Sequence, residues 1–266
     1  WILNKRNIPI VVIYKEGMFP KDDDNDLINV FYKTKKCLAN KVLFYNEQIR
    51  NLLIKANIEG LKESNSSVVG IPRFDSYIRD RNFKEDKRLI TLFSFESEVK
   101  SEYLLKNPNF SKAFALQVDL FHQNFARFCV ANPDYTLIVK SKARKSAFKD
   151  IIRLFSAYKP VLKERLILSK DYSAEKLIRE SRIIAGFSST TMIEALVLNK
   201  TIISPKFIFD NNKQIKDLFY PHNNLINYVA NFEELVKIIE NKSKNTSSTG
   251  REKFLKQRLY SLDGKT

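Results

Sequence analysis

Residues Ala185–Pro205 read AGFSSTTMIEALVLNKTIISP, and this stretch decides the fold. A β-branched run, Ile183–Ala185, stops at Gly186. Four hydroxyl residues follow, Ser188, Ser189, Thr190 and Thr191, and then a helix with Glu194 in its first turn. Asn199 ends that helix, because asparagine tolerates the left-handed backbone a helix exit needs. Thr201–Ser204 is a second β-branched run, so the stretch is a strand–helix–strand unit. In open α/β sheets ligands bind beyond the carboxyl ends of the strands. A helix N-terminus there offers unpaired N–H groups to an anion. Hydroxyls add donors for a phosphate, and Glu194 can accept from ribose hydroxyls. The same residues also fit a capping box, in which Glu194 bonds back to the backbone of Thr191.

Working outward, strand and helix signals alternate nearly throughout. Ile8–Tyr14 is a continuous apolar run and reads as a buried parallel strand. Asp26 caps a helix over Leu27–Lys36, Lys41–Tyr45 is a strand, and Asn46 caps a helix over Glu47–Ala56. Ser67–Ile71 is a third strand. Arg79–Lys87 is a polar linker, after which Arg88–Phe95 opens a second series. That series runs through a long helix around Phe110–Ala131, a strand at Tyr135–Val139 and a helix at Ala147–Ala157. It continues with a strand at Arg165–Leu168, a helix at Ala174–Glu180, and the opening stretch. A helix at Asn231–Asn241, a flexible linker at Asn245–Gly250 and a last helix at Glu252–Tyr260 complete the reading. Such alternation implies parallel sheets covered by helices. The division expected is 1–82, 83–244 and 245–266: part of one Rossmann-like lobe, a complete second one, then a linker and terminal helix. The chain starts at Trp1 rather than Met, so the first lobe is expected to be incomplete.

The chain has 266 residues, 44% hydrophobic, and carries a net charge of +16. That charge favours anionic partners such as a phosphorylated substrate or an acidic membrane surface. Nucleic acid is not expected, because the basic residues are dispersed and no zinc-finger or RNA-binding signature occurs. Nor is there a P-loop, a GxGxxG or a Ser-His-Asp arrangement. The two cysteines, Cys37 and Cys129, lack metal spacing and read as buried free thiols in helices, which points to a reducing compartment. No apolar stretch approaches the length of a membrane span.

Four segments in this order resemble the GT-B glycosyltransferases of bacterial capsule and lipopolysaccharide (surface carbohydrate) biosynthesis. They are Tyr14-Lys15-Glu16-Gly17, VVGIPRFD at Val68–Asp75, NPDYTLIVKSK at Asn132–Lys142, and GFSSTTMIEALVLNKTIISP. Asn199 and Thr201 stand where such sequences usually have Gly and Pro. The likeness, close to the Kdo-transferase-like and capsular polysaccharide families, implies an α/β fold of two Rossmann-like lobes. It implies a metal-independent enzyme with no cofactor, moving a sugar from a nucleotide-activated donor to a glycan or lipid-linked glycan acceptor. A CMP-activated 3-deoxy-manno-octulosonic acid is one candidate donor. By the same resemblance, Lys140 and Lys142 hold the donor phosphates with Ser188, Ser189, Thr190 and Thr191, Glu194 holds the ribose, and Glu16 and Asp75 are the catalytic carboxylates. A carboxylate is needed to deprotonate the acceptor or to form a covalent adduct. The expected location is cytoplasmic, with peripheral contact to the inner face of the membrane.

Two other readings stay open. The same architecture serves CDP-glycerol-type glycerophosphotransferases, which usually carry a histidine in the phosphate loops. A non-catalytic module that rests on carbohydrate or membrane through its positive charge is the other.

Overall fold

A computed structural model describes residues 8–14, 36–80, 82–95, 108–207, 219, 223–240, 248–261 and 263–264. The chain divides into two compact units. Unit 1 comprises residues 1–81, 217–222 and 247–266, and unit 2 comprises 82–216 and 223–246. The C-terminal helix is part of unit 1.

Unit 1 holds a three-stranded parallel sheet in the order β1 (Val11–Ile13), β2 (Lys41–Phe44), β3 (Ser66–Val68). Its first strand is shorter than the apolar run that encodes it. It is also exposed rather than buried, because it lies at the edge of the described sheet with Val11 61% exposed. Helix α1 (Glu47–Lys55) starts as expected: the Asn46 side chain accepts the Ile49 amide at 2.9 Å. Ile49 and Leu53 then turn one face onto Val42 and Phe44. A 3₁₀ turn at Pro72–Phe74 leads into α2 (Asp75–Arg79). The region assigned to a flexible linker at 245–250 is helical from Ser248. The last helix in fact runs over Ser248–Leu259 and is tied to α1, where the Asn46 amide donates to the Arg258 carbonyl at 3.1 Å. The proposed cap at Asp26 and its helix lie outside the described residues. Cys37 is half-buried and lies outside any helix.

Unit 2 is a six-stranded, all-parallel sheet built from β4 (Asp86–Phe93), β5 (Thr136–Lys140), β6 (Leu166–Ser169), β7 (Ser181–Ala185), β8 (Thr201–Pro205) and β9 (Asn227–Val229). Their spatial order is β6-β5-β4-β7-β8-β9. The helices are α3 (Pro108–Ala131), α4 (Lys145–Phe155), α5 (Lys159–Leu162), α6 (Ala174–Glu180), α7 (Thr190–Val197) and α8 (Phe232–Glu240), with the Ser248–Leu259 helix of unit 1 as α9. The central strand β4 is buried from Leu89 to Phe93, as its unbroken apolar run requires. Ile90 and Leu92 pack in one core with Phe121, Phe125 and Phe128 of α3 and Ile151 and Phe155 of α4. Burying aromatic side chains of this size supplies about 2–3 kcal/mol each. A polar pair in the middle of the sheet, Thr91 and Ser181, is closed on itself at 2.7 Å between hydroxyls.

Candidate functional site

The order β6-β5-β4-β7-β8-β9 reverses direction between β4 and β7. Chain from β4 runs outward on one side through β5 and β6, and from β7 outward on the other. Loops leaving the carboxyl ends of those two strands must therefore diverge, which leaves a crevice between them. The loop after β4 begins Ser94-Phe95, and the loop after β7 is Gly186-Phe187-Ser188-Ser189. Their aromatic rings meet, with Phe95 and Phe187 5.6 Å apart between centroids and Phe207 beside both.

The Ser/Thr loop is shaped by its backbone. Ser188 sits at φ 42°, in the left-handed region, and is exposed. Ser189 then takes extended geometry and is the N-cap of α7, where its Oγ accepts the Thr191 amide at 3.4 Å and the Thr191 hydroxyl at 2.8 Å. The helix thus starts at Thr190, and a capping box from Thr191 to Glu194 does not form. Glu194 lies past the first turn and is 7% exposed. With both acceptances used on Thr191, the Ser189 hydroxyl is left to act as a donor. Gly186 is needed for the close approach behind this loop. A Cβ there would stand 3.0 Å from Met192 Cε and 3.2 Å from the Phe93 carbonyl oxygen.

The far end of α7 is fixed by a Schellman motif. Asn199 takes φ 56°, its N–H reaches the Leu196 carbonyl at 3.1 Å, and the Lys200 N–H reaches the Ala195 carbonyl at 3.0 Å. The Lys200 side chain turns inward to Glu85, the Arg179 carbonyl and the face of Phe83. Its burial lowers its pKa, and hydrogen bonding to Glu85 opposes that shift.

On the other flank, Lys140 ends β5 and is half-buried. Its ammonium donates to the Ser141 carbonyl at 2.7 Å and the Lys170 carbonyl at 2.8 Å, so it clamps the ends of β5 and β6 together. Burial lowers its pKa, with Asp171 acting the other way. One N–H remains for a ligand. Lys142 is exposed and lines a cavity of about 20 Å³ together with Ser94, Asp119, His122, Asp150 and Arg153. Asp75 is the first residue of α2 in unit 1, buried, with Oδ2 3.1 Å from Arg79 Nη2. Glu16 lies outside the described residues. Among the described residues, no three His, Cys, Asp or Glu side chains come together to hold a metal, and no helix is long and apolar enough to cross a membrane.

The sequence places His122 inside the long helix among apolar neighbours, with no motif to mark it. It is buried in α3, with Nδ1 2.7 Å from the Val118 carbonyl oxygen and Nε2 3.1 Å from Ser94 Oγ. Nothing local in the sequence signals this pairing, since Ser94 is 28 residues away.

Comparison with solved structures places this architecture among GT-B-like folds. HepE of Anabaena, in complex with UDP-glucose, matches with a TM-score of 0.50 at 14% identity, covering 98% of this chain and 71% of that one. UDP-GlcNAc 2-epimerase from Neisseria meningitidis, bound to UDP-GlcNAc, gives 0.50 at 12% identity, with 98% and 68% covered. The wall teichoic acid polymerase TagF gives 0.51 at 14% identity, with 85% and 55% covered. At these identities the likeness is one of fold. A comparison with curated proteins finds no match. The family model described as capsule polysaccharide biosynthesis protein matches residues 57–205, from the end of α1 through β8 and so across the VVGIPRFD turn, the β5 lysines and the whole Ser/Thr loop. With more than half of its length matched, this chain belongs to the capsule polysaccharide biosynthesis protein family.

Proposed function

We propose that the chain is a glycosyltransferase that takes a sugar from a nucleotide-activated donor and passes it to a glycan acceptor in capsule assembly. The observation that carries this reading is the coincidence of the Ser/Thr loop with the strand-order reversal between β4 and β7. There the Ser189 hydroxyl and the first amides of α7 offer donors to an anion, and Lys142 and the third N–H of Lys140 add positive charge. In this reading Ser188 and Thr190 contribute from the loop and Thr191 acts through its bond to Ser189. The buried Glu194 carboxylate serves the ribose. Phosphate charge is met by these groups without a metal. Glu16 and Asp75 supply the catalytic carboxylates. A CMP-linked donor and peripheral contact of the basic surface with anionic lipid are the finer parts of the proposal. Membership of a capsule family and a fold shared with a UDP-glucose complex support it.

Thermal-shift titration against CMP, CDP, UDP and GDP tests it. A nucleotide that binds the native state raises the melting temperature by mass action, about 2.7 kcal/mol of stabilisation at a hundredfold excess over Kd. The expected result is one or two responders, lost in a Ser189→Ala/Thr190→Ala variant. Absence of any response defeats the donor-site reading, and a response to CDP with turnover of CDP-glycerol moves it to the glycerophosphotransferase class.

A further inference from the structure

His122 and Ser94 form a pair whose proton positions are dictated by their neighbours. The Val118 carbonyl oxygen, 2.7 Å from Nδ1, can only accept a hydrogen bond, so Nδ1 carries the proton. Full burial among Phe95, Phe121 and Phe155 keeps the imidazole neutral, so Nε2 is a bare lone pair. Ser94 Oγ stands 3.1 Å from that lone pair and must donate its proton there. The Ser94 amide is held by the Lys140 carbonyl at 2.9 Å, which fixes the residue at the carboxyl end of β4. Only the lone pairs of Ser94 then remain for the small cavity it lines. At about 20 Å³ that cavity takes one water-sized group.

From this geometry we infer that Ser94 is a ligand-reading acceptor at the donor site, committed by His122 to take an O–H or N–H of the nucleotide sugar and to refuse a phosphate oxygen. The inference rests on the donor-site reading above. The cavity lies between α3, α4 and the loops after β4 and β5, so the β4–β5 flank of the site and the Ser/Thr loop take opposite hydrogen-bond polarity. Ser189 after β7 presents a donor, suited to phosphate, and Ser94 after β4 presents an acceptor, suited to a hydroxyl or an imide. His122 touches no ligand and is a positioning residue.

The experiment measures the affinities of UDP, CDP, CMP, GDP, UDP-glucose and inorganic pyrophosphate by calorimetry for the full chain and two variants. Ser94→Ala is expected to weaken the tightest nucleotide or nucleotide sugar about three- to tenfold, the worth of one neutral hydrogen bond, and to leave pyrophosphate unchanged. His122→Phe frees the Ser94 proton and is expected to cost the same ligand a similar factor while pyrophosphate binding holds or tightens. Nitrogen-15 spectra of the unliganded wild type add a readout that a merely space-filling role would not produce. Of the two histidines in the chain, one must show a protonated Nδ1 and an unprotonated Nε2, lost in the His122 variant. An Nε2–H tautomer overturns the inference. So does equal loss of pyrophosphate and nucleotide in Ser94→Ala, which makes Ser94 a phosphate donor. Unchanged affinities in Ser94→Ala, with Ser189→Ala still weakening the nucleotide, leave the donor site standing and assign the cavity to a structural water. No binding of any probe to the wild type overturns both readings together.

Discussion

The Lys200 ammonium lies 2.7 Å from Glu85 Oε2, with the lysine side chain 1% exposed and the glutamate 32%. This ion pair joins the exit of α7 to the lead-in of β4, the two elements whose loops border the crevice. The asymmetry of exposure sets its energetics. Glu85 can be solvated if it loses its partner, but the lysine cannot. Removing one member of a buried pair is costly because it strands the other charge. Glu85→Ala is therefore expected to destabilise the chain by about 1–3 kcal/mol, and Lys200→Met by less, since methionine keeps the apolar contact with Phe83. Urea unfolding of both variants checks the order, and a larger loss in Lys200→Met would reverse this account.

The helix exit one residue earlier makes a backbone prediction. Asn199 holds φ 56°, which glycine adopts freely and a β-branched residue does not. Asn199→Gly should leave stability unchanged or raise it by a few tenths of a kcal/mol, and Asn199→Val should lower it by about 1–2 kcal/mol. Melting temperatures of the three proteins decide the matter.

Ser189 is predicted to carry two separable contributions. As the N-cap of α7 it is worth about 1 kcal/mol, most of which an aspartate or asparagine would restore. As a donor to an anion it has no carboxylate substitute. Ser189→Asp is thus expected to keep the stability of the wild type and lose nucleotide affinity, while Ser189→Ala loses both. Chemical denaturation beside calorimetry separates the two effects, and full nucleotide affinity in Ser189→Asp would remove the donor role.

Burial pushes the His122 imidazole down to about 4 from an unperturbed 6.5. Between those values the unfolded chain binds the proton and the folded chain does not. This contribution is therefore fully present above pH 6.5 and is lost as pH falls towards 4, up to roughly 3 kcal/mol. Asp119 works in the opposite sense, because burial raises its carboxyl and the folded state holds that proton longer. Unfolding midpoints from pH 7 to pH 4.5 should fall steeply in the wild type. They should fall less in His122→Phe, whose lower starting stability does not affect the slope. Parallel slopes would place the acid sensitivity elsewhere.

What was legible in the sequence was local chemistry. Asn46 and Asn199 do at the ends of their helices what an asparagine does wherever it stands, so both were read correctly. The start of α7 lies two residues before the one a capping box at Thr191 implies, because four adjacent hydroxyl residues can all cap. The choice falls to Ser189 through the left-handed turn at Ser188, which no residue type announces. Strand β9, Asn-Tyr-Val, was missed because three residues carry no periodicity. The apolar run at Ile8–Tyr14 could not reveal that its strand lies exposed at a sheet edge, since burial belongs to what packs against it. The Ser94–His122 pair was invisible for the same reason. Its meaning arises only when α3 folds back over β4.

The strand order has a kinetic consequence. β4 and β7 border the crevice, yet their paired residues, such as Ile90 with Ile183, are about ninety positions apart in the chain. Closing a loop of that length costs entropy before any contact repays it, and sheets made of such distant pairings form slowly. The crevice therefore comes into being among the last events of folding, after β4–β5 and β7–β8 have formed from nearer partners. Appearance of ligand binding during refolding would then report completion of the second unit as a whole. A chain interrupted anywhere between β4 and β7 would need the broken pieces to find each other before it could bind anything.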